Sequence, residues 1–419
     1  MTQPSLKHDT RRWITCIAFM DVWGPDRLEH FLETMEPVTL DSQNVEILVP
    51  PQTLAEPHRG ITGFGIFRMT QEGMREVDAY LSQFEQAGVQ VKLLPILENP
   101  TLAQDLALYR QGQREIEAEW QHTTVEKITT WGATRKLTLL PLVDWKTRQP
   151  TLQTELGVAY HLQTDTQSIL FDLGLNAHQH HPSPLLHNMT QLGITLNDID
   201  TIVISHNHGD HVGGSTWSRK NTFSVTATQL PLTEILVYTP VPMTYPGLTP
   251  IHANAPTIIG TGVATIGTIS NQLFGEQLKI TPIGRTHEQA VAINVKDKGV
   301  VLIIGCGHQT LPKILKRTEA LFDEPLYGVI GGLHYAVDGG PFELKGMTLH
   351  KYFGTGKLPW RPITRQELQD NIALLQSHDP KIVALSPHDS SPISLQALKQ
   401  AFPTAYIDLS VGEPIIIGG

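Results

Sequence analysis

Three imidazoles and a carboxylate fall within six residues in His206-Asn207-His208-Gly209-Asp210-His211. The run follows the apolar segment DTIVIS and precedes Val212-Gly213-Gly214, so it reads as the turn that leaves a buried strand. Strand ends carry side chains into the crevice beyond a sheet, where α/β proteins bind ligands. Imidazole and carboxylate donors together suit zinc, iron, nickel or manganese, and geometry rather than raw affinity selects among them. A polar turn that happens to be rich in histidine is the alternative. Four such groups crowded at a strand end would lose solvation with no cation to organise them, so metal binding is the reading taken.

The elements that must hold this turn fall into two parts. Residues 1–135 read as β-α-β-β-α-β: strands over 12–20, 44–49, 60–69 and 89–97, with helices over 26–35 and 71–88. In the second helix Met74, Val77, Leu81 and Phe84 recur at spacings of three and four, and Gly88 closes it. That order is the split βαβ, or ferredoxin-like, motif. A further helix at about 101–121 and a polar linker at 123–135 complete a small α+β domain. From 136 to 419 the rhythm changes. Strands are expected at 136–144, 156–164, 168–174, 200–206, 263–269, 277–283, 289–296, 299–305, 326–332 and 381–388. Helices at 183–193, 310–322 and 364–378 fall between them, implying a layered α/β architecture.

Composition narrows the function classes. The chain has 419 residues, 40% hydrophobic and 17% charged, with a net charge of −10. That charge opposes non-specific attraction to nucleic-acid phosphates or anionic membranes, but leaves room for an anionic substrate at a local metal. The two cysteines, Cys16 and Cys306, cannot build a disulfide framework, which fits a reducing, cytoplasmic compartment. No apolar run approaches the length of a bilayer span, and the first residues lack the apolar core of a secretory signal.

The H-x-H-x-D-H run followed by Gly-Gly resembles the signature of the metallo-β-lactamase superfamily. ILFDLG (169–174) resembles that family's strand ending in a structural aspartate, here Asp172. Further on, THEQAVAINVKDKGVVLIIGCGH (286–308), YGVIGGLH (327–334) and LSPHDSS (385–391) resemble the branch containing dihydropterin-forming synthases. The resemblance covers roughly 137–419 and implies an αββα sandwich with one or two divalent metals at one edge, zinc first, with iron or manganese as alternatives. It implies that His206, His208 and His287 hold a first metal. Asp210, His211 and His388 would hold a second, with Cys306 where hydrolytic members carry a bridging aspartate. Competing readings are a surface His287 and a Cys306 that is only a small buried hydrophobe. His308 and His334, each after a Gly-rich strand end, could be substitute ligands, general acids or substrate clamps, and Asp210 could orient a nucleophile as well as bind metal.

HQHHP (178–182) reads as solvated loop. The stretch 338–362 is too aromatic for a plain connection: Phe342, Tyr352, Phe353 and Trp360 could cap the cleft, with Lys345, Lys351, Lys357 or Arg361 meeting an anionic group. A surface excursion is the other reading. The expected activity is a metal-dependent hydrolase, or hydrolase-like synthase, acting on a small phosphorylated or cyclic substrate. A nuclease or phosphodiesterase and a non-catalytic metal-binding sensor are the alternatives. The expected partner is a small molecule, with neither nucleic acid nor membrane, and homo-oligomerisation is left open.

Overall fold

The computed structural model describes residues 13–21, 42–49, 61–86, 90–96, 102–273, 284–337, 339–341, 343–344, 347–348, 350, 354–357 and 363–419. The expected helix at 26–35 and strand at 277–283 lie outside the described residues. The chain divides into two compact units, Met1–Leu108 and Tyr109–Gly419.

In the smaller unit β1 (Trp13–Asp21), β2 (Val45–Val49), β3 (Ile61–Thr70) and β4 (Gln90–Ile96) form an antiparallel sheet in the order β2-β3-β1-β4. That is the order a split βαβ arrangement gives. Helix α1 (Gly73–Gln86) buries Val77, Leu81 and Phe84 at the expected spacing and adds Tyr80, whose ring meets Phe67 and Phe84 edge-on.

Helix α2 (Leu102–His122) spans the boundary between the units. The segment after it, read from sequence as a linker to the small domain, packs on the larger unit. Trp131 stacks on Phe322 at 4.3 Å between ring centroids, and Ile128 donates its amide to the Leu321 carbonyl. An apolar indole and a backbone hydrogen bond to the end of a helix anchor 123–135, where composition alone suggested a polar connection.

Among the described residues, the larger unit has two main sheets. One runs β10 (Ile251–His252), β9 (Leu236–Thr239), β8 (Thr201–Val203), β7 (Ser168–Phe171), β6 (Ala159–Gln163), β5 (Lys136–Val143) and β21 (Ile415–Gly418). The other runs β11 (Thr257–Gly260), β12 (Val263–Thr265), β15 (Val291–Val295), β16 (Gly299–Ile304), β17 (Leu326–Gly331) and β20 (Ile382–Leu385). Separate hairpins join β13 (Ile269–Leu273) to β14 (Gly284–Glu288) and β18 (Glu343–Leu344) to β19 (Met347–Thr348), and a short helix, α4 (Ser215–Ser218), follows Gly214.

Side-chain alternation shows how the layers stack. In β16, Val301 and Ile303 join the core between the sheets, while Val300, Leu302 and Ile304 face helices α5 (Leu311–Leu321), α6 (Arg365–Ser377) and α7 (Pro392–Ala401). In β7, Ile169 and Phe171 point inward, and Leu170 meets helix α3 (Pro184–Gln191) through Leu185 and Met189. Strands buried on both faces read as unbroken apolar runs, as VVLII and SILF do. The result is an αββα sandwich.

Trp131→Ala should destabilise the protein by about 3–5 kcal/mol, the usual loss for a large buried aromatic. Chemical denaturation checks this. A loss below about 1 kcal/mol would mean that 123–135 is a linker after all.

Candidate metal centre

The parallel strands β7, β8, β16, β17 and β20 all end at the same edge of the sandwich. Asp172 follows β7, Ser205 and His206 follow β8, Cys306 and His308 follow β16, His334 follows β17, and Ser386 and His388 follow β20. The 206–211 turn is drawn tight by its glycines. A Cβ on Gly213 (φ +81°) would lie 1.8 Å from the Ser224 carbonyl oxygen, so only glycine lets the chain return here.

Three groups of ligand-type atoms converge, each lying within 4.8 Å: His206, His208 and His308; Asp210, His211, Cys306 and His388; and Cys306, His308 and His334. His287 belongs to none of them. It sits on β14 between Thr286, whose hydroxyl is 3.4 Å from His208 Nε2, and Glu288, whose carboxylate reaches the Cys306–His308 amides. Period-two alternation turns His287 to the other face of the strand, where Ser270 Oγ lies 2.9 Å from its Nδ1. Beside His206 and His208, where the resemblance implied His287, the structure brings His308.

Hydrogen bonds behind the site decide which imidazole nitrogen faces it. The Ser205 hydroxyl donates to Asp172 Oδ2 at 2.6 Å, so His206 Nδ1, 2.9 Å from Ser205 Oγ, is the donor to that hydroxyl oxygen. His211 Nδ1 donates to Asp172 Oδ2 at 2.7 Å. Ser386 Oγ donates to Asp144 at 2.7 Å and accepts from His388 Nδ1 at 2.6 Å. His308 Nδ1 donates to the Gly354 carbonyl at 2.7 Å, and its buried Nε2 has no hydrogen-bond partner. In all four rings Nδ1 carries a hydrogen, and in His206, His308 and His388 Nε2 turns a lone pair inward, while His211 Nε2 faces Cys306 and Asp210. Ligating histidines are commonly oriented in this way, by an outer carboxylate, hydroxyl or carbonyl. His206 Nε2 lies 3.0 Å from His208 Nδ1, and Cys306 Sγ lies 3.0 Å from His211 Nε2 and 3.3 Å from His388 Nε2.

The electrostatics match the geometry. Burial, reinforced by neighbouring imidazoles, holds His206, His308 and His388 well below the usual histidine range, so they are neutral donors of electron pairs. His211 goes the other way. Burial disfavours its charge, yet Cys306, Asp210 and Asp172 outweigh that and raise it well above its ordinary value. Burial would likewise raise Asp210, but His211, His208 and His388 hold its carboxyl below the usual range. A centre this anionic draws a positive charge to itself, either a proton on His211 or a metal ion. Burial pushes the Cys306 thiol well above its ordinary value, so it is a neutral donor whose proton a metal would displace. The unpartnered His308 Nε2, the neutral imidazoles, that thiol and the anionic Asp210 together fit a divalent transition metal.

Several supporting groups carry no metal-ligand signature and escaped the sequence reading. Glu288 is fully buried. Its Oε1 accepts from the amides of Cys306 (3.0 Å) and Gly307 (2.9 Å), and its Oε2 from that of His308 (2.6 Å). Burial pushes its carboxyl up to about 7, against the pull of those donors. Asp144, at the end of β5, accepts from Tyr160, Ser386 and the Trp145 amide, and burial raises it to about 6. Asp389 accepts from the His334 amide, holding that residue in a left-handed conformation (φ +50°). The signal for Asp144 was available: KLTLLPLVD ends a strand in aspartate just as ILFD does.

From the 338–362 stretch, Gly354 lies against the site. A Cβ there would come 2.6 Å from His334 Cε1, and φ is +79°. Gly356 accepts from the Tyr109 hydroxyl at 2.7 Å. The cap residues Phe342, Tyr352, Phe353 and Trp360, with Lys345, Lys351 and Arg361, lie outside the described residues. Lys357 pairs with Glu367.

Residues 154–306 match the model of the metallo-beta-lactamase superfamily. The chain carries a metallo-β-lactamase domain. The match contains the 206–211 run and ends at Cys306, so His308, His334 and His388 lie beyond it. A Methanocaldococcus jannaschii protein, 7,8-dihydropterin-6-methyl-4-(beta-D-ribofuranosyl)-aminobenzene-5'-phosphate synthase, is 25% identical over 213 residues, 42% of this chain and 70% of that one. A metal-dependent hydrolase of the β-lactamase superfamily, Tm1679, aligns with a TM-score of 0.43 and 18% identity over 68% of this chain and 100% of that one. The metallo-β-lactamase fold protein YhfI from Bacillus subtilis aligns with a TM-score of 0.41 and 14% identity over the same shares. No helix among the described residues is long and apolar enough to cross a membrane.

His308→Ala should lower the metal affinity of the domain by at least the 10–100-fold typical of losing even an outer partner, while His287→Ala leaves it unchanged. Metal titration with a chromogenic chelator distinguishes the two. The opposite ranking would return the third place to His287.

Proposed function

We propose that this metallo-β-lactamase domain is a metal-dependent hydrolase, or hydrolase-like synthase, acting on a small phosphorylated or cyclic substrate. The observation that carries the proposal is the convergence of imidazole nitrogens with Cys306 and Asp210 at one sandwich edge. His206, His208 and His308 would hold one metal, and Asp210, His211, Cys306 and His388 a second. Zinc suits this donor set best, with iron or manganese as alternatives. When bound, such a metal lowers the pKa of water toward about 7 and polarises a carbonyl or phosphoryl oxygen. The name of the Methanocaldococcus relative joins a bicyclic ring to a phosphate, which accords with a small phosphorylated or cyclic substrate.

The protein's own groups would then divide the work. Asp210 is only half-buried, so beyond any ligand bond its carboxylate can accept a hydrogen bond from the attacking nucleophile and orient it. His308 is committed at Nδ1 to Gly354, which suits holding metal rather than moving protons. His334 lines the adjoining cavity and touches both the His308 and His350 rings, at 5.0 and 5.5 Å between centroids. It is the group placed to deliver a proton to the leaving atom. Glu288 and Asp172 hold the backbone and rings in register and leave the chemistry to others.

Zinc-, manganese- and iron-loaded protein should be assayed on phosphodiesters, phosphomonoesters and lactones. At least one class should turn over, with loss on chelation. His334→Ala should lower kcat about 10²–10⁴-fold for a poor leaving group such as an alkoxide, and much less for p-nitrophenolate, which needs no proton. Stoichiometric metal without turnover of any class would make the site a binding centre and overturn the proposal.

A further inference from the structure

His308 is held at three points. Its amide donates to Glu288 Oε2 at 2.6 Å, its carbonyl accepts from Asn271 Nδ2 at 2.7 Å, and its ring donates from Nδ1 to the Gly354 carbonyl at 2.7 Å. The first two bonds fix the backbone. Of the three, it is the last that fixes which way Nε2 faces.

The segment carrying that last anchor is Gly354-Thr355-Gly356, with φ of +79° at Gly354 and +71° at Gly356. Glycine visits this region freely, and many others as well. The segment therefore has little stiffness of its own with which to hold a carbonyl against a ring, and ordering it costs conformational entropy. The restraint must come from outside.

Helix α2 supplies it. Tyr109 and Gln113, one turn apart and both in the larger unit, donate to the same Gly356 carbonyl, the phenol at 2.7 Å and the Gln113 amide at 3.2 Å. The Gln113 amide also donates to the Tyr109 oxygen, so the three groups close on one another. Tyr109 is 2% exposed, and burial pushes its phenol up to about 12, which keeps the hydroxyl a donor. Any buried phenol needs an acceptor; the particular feature here is the carbonyl that two side chains share. Gly356 also packs on Asn271. A Cβ at Gly356 would come 2.4 Å from Asn271 Nδ2, the atom that donates to the His308 carbonyl.

We propose that Tyr109, assisted by Gln113, is a positioning residue for His308: through Gly356 it holds the Gly354 carbonyl in place and so keeps His308 Nε2 within reach of His206 and His208. The inference rests on the metal-centre part of the proposed function, with His308 as a ligand, and not on any hydrolysis.

The test uses the full-length, cobalt-loaded protein, in which the ring N–H protons of bound histidines give hyperfine-shifted proton resonances. The one absent from His308→Ala at saturating cobalt reports the Nδ1–H donated to Gly354. In Tyr109→Phe its exchange with solvent should be about three- to tenfold faster, the range for one neutral hydrogen bond. The N–H resonances of His206, His211 and His388 should exchange as in the parent. Cobalt affinity should fall by a similar factor, while the sulfur-to-cobalt charge-transfer band of Cys306 keeps its intensity. Tyr109→Phe/Gln113→Leu, which strips both donors from Gly356, should move exchange and affinity further. Leu375→Ala empties a fully buried place in α6 and should lower the melting temperature while leaving both at parent values. Exchange and affinity unchanged in the double variant, or changed as much in Leu375→Ala, would overturn the proposal. If His308→Ala removes no resonance and costs no affinity, the ligand reading fails and takes this proposal with it. If His308→Ala does both and the double variant does neither, this proposal alone fails.

Discussion

Inward-facing lone pairs crowded into a water-poor sheet edge are the constraint around which the rest of this molecule is arranged. His206 Nε2 and His208 Nδ1 are 3.0 Å apart, and Cys306 Sγ lies within 3.3 Å of two further imidazole nitrogens. Acceptor atoms at such spacing repel unless a proton or a metal ion lies between them. The fold supplies part of that charge by raising His211, and it fixes the remaining rings through acceptors placed behind them. Asp172 serves two rings, one directly and one through Ser205, and Asp144 serves a third through Ser386. A buried carboxylate is expensive to keep charged unless it is fully hydrogen-bonded, and each of these accepts at least three bonds.

The sandwich provides what loops alone could not. Five parallel strands deliver their ends to one edge, and strands packed on both faces cannot slip by one residue without turning every core side chain outward. Glu288 extends that rigidity into the 306–308 turn, where one carboxylate gathers three consecutive amides. Cys306 and His308 are thus positioned from a different strand than their own, which couples the β13–β14 hairpin to the centre.

The contiguous part of the site was legible from sequence because its chemistry is local: six residues carry four candidate ligands after an apolar strand. The distal part was legible only as positions near strand ends. Choosing between His287 and His308 required the pleat of β14, and nothing in THEQ states which face a strand will show. Glu288 and Asp389 do their work through contacts 18 or more residues away, which no spacing reveals. The boundary between the units was hidden for a related reason. Segment 123–135 is polar on average, yet the single indole of Trp131 decides where it packs. Short strands such as β9, β10 and β21 are too brief to show a period and depend on their sheet neighbours.

The central claim is that Cys306 and the converging imidazoles form one metal centre, and X-ray absorption at the zinc edge of the loaded protein addresses it most directly. The account predicts a sulfur scatterer at about 2.3 Å together with imidazole nitrogens at about 2.0–2.1 Å. The sulfur shell should vanish in Cys306→Ser and persist in Cys16→Ser. A spectrum containing only nitrogen and oxygen ligands, unchanged by Cys306→Ser, would contradict the account and leave Cys306 as a packing residue beside a purely histidine and carboxylate site.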